Sequence, residues 1–594
     1  MSKDRRFRFY TLFLALIATG VIWVVGSGEA TPERVEMLAQ TDAATPKDVA
    51  PEGSRLKRET LYKYTKLMND ISYRVQSNYM DTIDTKSMVY AGIRGMLDVL
   101  DPFSVLLERS SYDRLMESTQ GKYEGLGMQI DLREDTVTVV APIEGTPAER
   151  IGLRAGDRIV AIDGKSTDGM STEDASKLMR GTAGTKVTLR IMRPGLHEPL
   201  DYEVERALIE LKSVPYYGMA DTQKKIGYLR LNKFSESTDS ELREAMAGLR
   251  AMGAQSLIFD LRSNGGGLLD QAVKTSGLFL DKDRLVVYTQ GRDPESQRKY
   301  FSTDKPIWGD GPLVVLVDGG TASASEIVSG AIQDWDRGII VGNTTFGKGL
   351  VQQIFQLPES DDVALKLTTA RYYVPSGRSI QKPSRSTKHP KADEEDSVEV
   401  VAKEPNGKDI FYTNKGRKVY GGGGIVPDVK VDEPTWTPLE INLWRQGVFF
   451  NFAVHYTTVH GDAPMNLDVN DAVVGEFREY LKQKKFEYKT ETQVEVDNIR
   501  DAMKNDTERQ AIYKASLDQV ASLIDKEKEL EFTESEQFIR REIKRAILSK
   551  QFGQRGFYEG VVLTDDDYVR KAIEILTHKD QYARLLSTNP DRKG

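Results

Sequence analysis

VVLVDGGTASASEIVSGAIQDWDRGIIVGNTTFGKGLVQ, residues Val314–Gln352, is the stretch from which the rest of the chain can be read. The apolar run Val314–Val317 has the composition of a buried strand. Gly319 and Gly320 supply a turn, and the small residues Thr321–Ser325 open a helical pattern. Further on, Lys348 sits between two glycines, with Gln352 four positions later. The segment thus offers a serine on a sharp turn and a lysine able to act as its base, and it contains no histidine.

On either side the pattern is α/β. Ile226–Leu231, Ser256–Leu261, Ile339–Val341 and Ala364–Tyr373 read as strands. Asp239–Met252 and Leu268–Leu278 read as helices, and Gly265–Gly267 as a turn between strand and helix. Alternating strands and helices predict a layered α/β core over residues 209–435. Before it, a glycine-rich turn at Gly121–Gly127 opens a unit of short strands and two short helices, a β-rich module over residues 121–208. Residues 58–120 carry apolar positions at helical spacing, among them Leu61, Tyr64, Leu67, Ile71 and Val75, and Asp101-Pro102 stops that helical region. Residues 436–594 are helical and rich in Lys and Glu, and their charge runs read as a solvated surface. Lys382–Val401 reads as a charged loop leaving the core.

The N-terminus carries an address. Lys3, Arg5, Arg6 and Arg8 precede an apolar run from Phe9 to Val25. That order marks residues 1–28 as a signal peptide or a membrane anchor. Gly26, Ser27 and Gly28 make a poor cleavage site, which favours the anchor. Residues 29–57 follow as a polar tether. Export to the bacterial cell envelope, the periplasm, is the expectation, with membrane contact through the apolar segment. Composition is that of globular protein, 39% hydrophobic and 29% charged over 594 residues, enough for about three or four domains. The absence of cysteine excludes disulfides, thiol nucleophiles and cysteine-based zinc sites. A net charge of −8 argues against a nucleic-acid partner. No HExxH is present, so no metal and no cofactor is expected.

Acyl transfer needs a held nucleophile, a base within hydrogen-bond reach and donors for the oxyanion. Ser323 has small neighbours, Ala322 and Ala324, and lies where a helix begins, so N–H groups and the helix dipole point at it. Ser325 is its rival. The histidines, His197, His389, His455, His460 and His578, all lie outside the α/β motifs. Lys348 can serve as base if burial lowers its pKa. Gln352 shares its face and can orient the amine. A serine-rich helix start is otherwise an N-cap, and Gly-Lys-Gly a plain turn.

Thr321-Ala-Ser-Ala-Ser-Glu326 with Phe346-Gly-Lys-Gly-Leu-Val-Gln352 resembles the carboxyl-terminal processing (tail-specific) serine peptidase family. Asp260-Leu-Arg-Ser-Asn-Gly-Gly-Gly267, Leu365–Tyr373, Pro375–Gln381 and Tyr420–Asp428 match it in the same order, over about residues 60–430. The resemblance implies Ser323 as nucleophile, Lys348 as general base and Gln352 as its support. It places the oxyanion donors on Ala324 and on the glycine turn, with Gly266 the choice and Gly267 next. Asp260, Arg262 and Asn264 read as braces of that turn. The implied core is of the crotonase/ClpP-like kind, inside a multidomain α/β chain.

Tyr123–Arg193 resembles a PDZ domain through Gly125-Leu-Gly-Met128 and Ala155–Gly164. Successive N–H groups of such a loop cradle a C-terminal carboxylate while the peptide adds as a strand. Gly125, Leu126, Gly127 and Met128 are the expected substrate-binding residues, Leu126 and Met128 lining the pocket for the last side chain. Arg180 either adds positive charge there or is a solvated helix end. The combined expectation is an exported serine endopeptidase that cleaves proteins with exposed, apolar C-terminal tails and is gated by its PDZ module. Residues 436–594 are open to a homo-oligomer or adaptor. Two other readings are a non-catalytic PDZ scaffold or envelope chaperone, and a small-ligand carrier on the related fold.

Overall fold

The structure, a computed structural model, describes residues 22–23, 52–292, 294–357, 363–383 and 410–587. Residues 29–51 of the tether, most of the apolar N-terminal run and most of the Lys382–Val401 loop lie outside them. No helix among the described residues is long and apolar enough to cross a membrane.

The core sheet runs in the spatial order Tyr216–Asp221, Ile226–Arg230, Ser256–Asp260, Leu313–Val317, Ile339–Gly342 and Val429–Lys430. The first pair is antiparallel and all the others are parallel. Successive residues of these strands point to opposite faces, and both faces are buried. Leu229, Leu257, Phe259, Leu313, Val315 and Ile340 meet the helices Thr238–Ala251, Leu269–Gly277 and Ala324–Asp334. Tyr228, Ile258, Val314, Leu316, Ile339 and Val341 meet the last helices of the chain, through Tyr558, Val562, Val569, Ala572 and Ile575. The C-terminal region is therefore more than a solvated surface: it supplies one of the two helical layers. Each aliphatic side chain buried there is worth about 1.5–3 kcal/mol.

A second sheet pairs Leu350–Gln356 with Val363–Tyr373, and the latter with Leu285–Gly291. Val105–Glu108, from the region read as helical, joins the Val363–Tyr373 strand. The helices Glu52–Asn78 and Thr85–Asp98 precede it, the first beginning within the stretch read as tether, and the helix Arg109–Gln120 follows. A two-stranded ribbon, Lys122–Gly125 with Ala207–Glu210, leads into and out of the PDZ module. In that module Met128–Arg133 is an edge strand of the sheet, and the helix Thr172–Met179 lies beside it.

The C-terminal helices also touch the PDZ module. Lys484 pairs with Glu134 at 3.0 Å, the Arg133 guanidinium lies 5.5 Å from the Phe450 ring, and Val454 packs against Gly156.

Candidate active site

Strand Leu313–Val317 ends in a turn tied to the neighbouring glycine turn. Asp318 accepts from the Ser263 N–H at 2.7 Å and the Gly320 N–H at 3.0 Å. Thr321 Oγ1 donates to the Leu261 carbonyl at 3.0 Å. The next residues reverse direction so sharply that Ser323 adopts φ 63°, ψ −115°, a region that L-residues occupy only when their surroundings over-determine it. The helix Ala324–Asp334 begins immediately after. Ser323 is fully buried, and its hydroxyl makes no hydrogen bond among the described residues. Ser325 is equally buried but committed: its hydroxyl donates to the Asn264 carbonyl at 2.9 Å.

Lys348 precedes the strand Leu350–Gln356, which carries Gln352. Its amine donates to Gln352 Oε1 at 3.2 Å and lies 4.2 Å from the Phe103 ring centroid. Gln352 Nε2 donates to the Phe103 carbonyl at 2.8 Å. The turn after Asp101-Pro102 therefore does more than end a helix. Asp101 accepts from the Phe103 and Ser104 N–H groups and so fixes the carbonyl that holds Gln352. Burial, and then the positive charge of Lys366, lowers the Lys348 pKa from 10.5 to about 7. A buried ammonium has lost its water, and a second cation nearby disfavours it further.

Two buried groups lock the serine turn to the lysine turn. Glu326 accepts from the Ser323 N–H (2.7 Å), the Lys348 N–H (2.9 Å), the Gly347 N–H (2.7 Å) and the Thr345 hydroxyl (2.5 Å). Burial pushes its pKa up and these donors oppose the rise; with every partner a donor, the ionised carboxylate is the form that satisfies the network. The Tyr372 hydroxyl lies between the Ser323 carbonyl, at 3.0 Å, and the Lys348 carbonyl. Sequence reasoning missed both groups. Their only signal was membership of the matched motifs.

The glycine turn stands directly against the serine. Gly266 has φ 102°, and a Cβ there would lie 2.8 Å from Ser323 Cβ and 2.9 Å from Ala324 N. Its own N–H donates to Asn264 Oδ1 at 2.9 Å. Asn264 also donates to the Leu231 carbonyl and accepts from the Ala322 N–H, so it braces the turn as expected. Asp260 and Arg262 do likewise: buried Asp260 accepts from Tyr228, Arg230 and Arg262.

Residues 225–386 match Peptidase family S41. Residues 138–193 match a PDZ domain, and residues 439–576 match the C-terminal helical domain of a probable PDZ-protease. A carboxy-terminal-processing protease of Bartonella bacilliformis is 40% identical over 327 residues, which cover 54% of this chain and 74% of that protein. This chain belongs to the carboxy-terminal-processing protease family. The carboxy-terminal processing protease CtpA of Bacillus subtilis is 35% identical over 384 residues, 64% of this chain and 76% of that one. A solved photosystem II D1 C-terminal processing protease is 30% identical, covering 62% of this chain and 88% of its own, with a TM-score of 0.33. As a carboxy-terminal-processing protease, the protein is a serine-type peptidase with a PDZ domain and a C-terminal helical domain.

In the PDZ module of this protease, Leu126 is buried in the module's core and Met128 begins the edge strand, half-buried. Gly127 has φ 82°, and a Cβ there would collide with Thr146 at 2.3 Å. Burial pushes the Tyr123 pKa up, and the positive charge of Arg180 opposes the rise. Arg180 lies over the Tyr123 ring at 4.9 Å and pairs with Glu117 of the preceding helix. It is thus not a free helix end. Among the described residues no cluster could hold a metal ion.

Proposed function

We propose that this chain is an exported endopeptidase that captures the apolar C-terminal tails of proteins on its PDZ module and cleaves them with a Ser323–Lys348 dyad. The single observation that carries the dyad is the buried Lys348 amine, held by Gln352 and shifted to a pKa of about 7. At neutral pH such an amine is neutral in a large fraction of molecules and can accept a proton.

In this reading Ser323 Oγ attacks the scissile carbonyl carbon while its proton passes to Lys348 Nζ. The ammonium then gives that proton to the leaving amine as the C–N bond breaks. Water, deprotonated by the same amine, releases the acyl group from Ser323. The Ala324 N–H, at the first turn of its helix, receives the oxyanion together with an N–H of the glycine turn. Gly266 serves that purpose once its N–H leaves Asn264, and Gly267 is the neighbouring donor. The engaged hydroxyl of Ser325 supports Ser323 as the nucleophile.

Among the described residues Ser323 Oγ makes no hydrogen bond to Lys348 or to any other group. Catalytic hydrogen bonds often tighten only with substrate in place. A tail carboxylate entering the Gly125–Met128 loop would draw on Arg180, which lies over the Tyr123 ring. Because Arg180 is paired with Glu117, that event reaches the helix Arg109–Gln120 and, through it, the Val105–Glu108 strand and Phe103. This is the gating route.

The deciding experiment compares wild type with Ser323→Ala and Lys348→Ala on an unfolded protein bearing an apolar C-terminal tail. Cleavage by wild type and loss in both variants is expected. Equal cleavage by either variant removes the dyad. Export is tested separately by accessibility of the chain to protease in spheroplasts, where complete protection would overturn it.

A further inference from the structure

Arg262 lies one residue before the turn Ser263–Gly267, and its guanidinium is gripped from two sides. Asp260 takes Nε at 3.0 Å and Nη2 at 2.6 Å. Asp566, from the C-terminal helical domain, takes Nη1 with both oxygens, at 3.0 and 2.8 Å. The Tyr568 ring stacks beneath it, 4.8 Å from the guanidinium carbon. Asp566 is itself fixed as the N-cap of the helix Asp567–Thr577, accepting from the Val569 N–H. That helix is anchored on the core sheet by Val569, Ala572 and Ile575.

We propose that Arg262 and Asp566 are positioning residues for the peptidase reaction, the contact through which the C-terminal helical domain sets the oxyanion turn. This inference rests on the reading above that the glycine turn provides an oxyanion donor. Ser263 has φ 52°, unusual for a residue with a side chain, so the turn holds its shape only under constraint. The sheet constrains it through the Leu231 carbonyl, and the serine turn through Asp318 and the Ala322 N–H. Asp566 adds the only constraint among these from another domain. The same domain touches the PDZ module at Glu134, Arg133 and Gly156. It therefore joins the peptide-binding module to the back of the oxyanion turn.

The pair is partly buried, with side-chain exposures of 15% and 23%. A shift of the turn by a fraction of an ångström misaims a donor that matters only in the transition state.

The test uses the full chain and the variant Asp566→Asn, which keeps an N-cap while removing the charge. The expected result is a fall in kcat of about tenfold with KM changed less than about twofold. Affinity for a peptidyl boronate, which forms a tetrahedral adduct on the nucleophile, falls by the same factor. Binding of a tail peptide to the PDZ module is unchanged. Asp567→Asn, at an exposed neighbour paired with Arg570, is the control and keeps wild-type kcat. Tyr568→Leu removes the stacking and gives a smaller fall of the same kind, should Asp566→Asn fold poorly. Unchanged kcat and boronate affinity in Asp566→Asn, or a loss that only tracks the folded fraction, overturns the proposal. A wild type that neither cleaves nor binds boronate would instead overturn the dyad reading itself.

Discussion

The Lys348 amine is held by Gln352, and Gln352 is held by the Phe103 carbonyl rather than by anything in its own segment. The base is thus aimed from the N-terminal region. Gln352→Ala frees the amine to rotate, and kcat should fall about ten- to a hundredfold with KM nearly constant. Gln352→Glu places a carboxylate beside the amine and favours the ammonium. Its pH–rate limb should move to higher pH than that of wild type, as measured by kcat/KM across the neutral and alkaline range.

Wild-type activity should rise with pH through about 7 and level off above it, following the neutral fraction of Lys348. The same group affects stability. Below about pH 7 both folded and unfolded chains carry the proton, and the folded state bears the full cost of burying an ammonium. Between about 7 and the ordinary value of 10.5 the unfolded chain keeps the proton and the folded chain has lost it, so stability rises with pH across that window. Lys348→Met should be inactive and more stable than wild type by on the order of a few kcal/mol at pH 6. Its advantage should shrink as the pH approaches 10. Denaturant melts at the two pH values check this.

Ser323 is held at a positive φ that glycine tolerates and serine does not. Ser323→Gly should abolish cleavage while raising stability by about 1 kcal/mol or more. Ser323→Ala, which keeps the Cβ and its strain, should be equally inactive without that gain. A thermal melt of the two variants side by side separates strain from lost chemistry.

Gly127 approaches Thr146 so closely that any Cβ must displace it, and Thr146 Oγ1 donates to the Gly127 carbonyl at 2.8 Å. Gly127→Ala should deform the loop. Binding of an apolar tail peptide should weaken more than about tenfold, and tail-bearing proteins should be processed correspondingly more slowly. Calorimetry with the peptide and a cleavage time course measure the two.

The local features of the core could be read from the chain because local chemistry dictates them. A β-prone run, a glycine turn and small residues before a helix sufficed for Val314–Asp334, and the strand and helix at Ser256–Gly277 followed the same grammar. What escaped was contact between distant segments. Nothing around Asp101-Pro102 announces that Phe103 will meet Gln352, and Val105–Glu108 is too short to stand out beside helices. Glu326 looks like an ordinary first-turn acid until four donors converge on it. In Asp567–Thr577 the spacing of Val569, Ala572, Ile575 and Leu576 does signal a buried face. Periodicity shows that a face is covered, but the covering surface lies some three hundred residues upstream.

The core sheet acquires its second cover only from Tyr558 onward. On the ribosome the serine, the lysine and the glycine turn all emerge long before those helices exist. Until then the face carrying Tyr228, Ile258 and Val341 lacks its helical cover, and Arg262 has no Asp566. A sheet that carries the nucleophile's strand is thus completed by a cover made some three hundred residues later, so the order of synthesis and the order of assembly of this core are not the same.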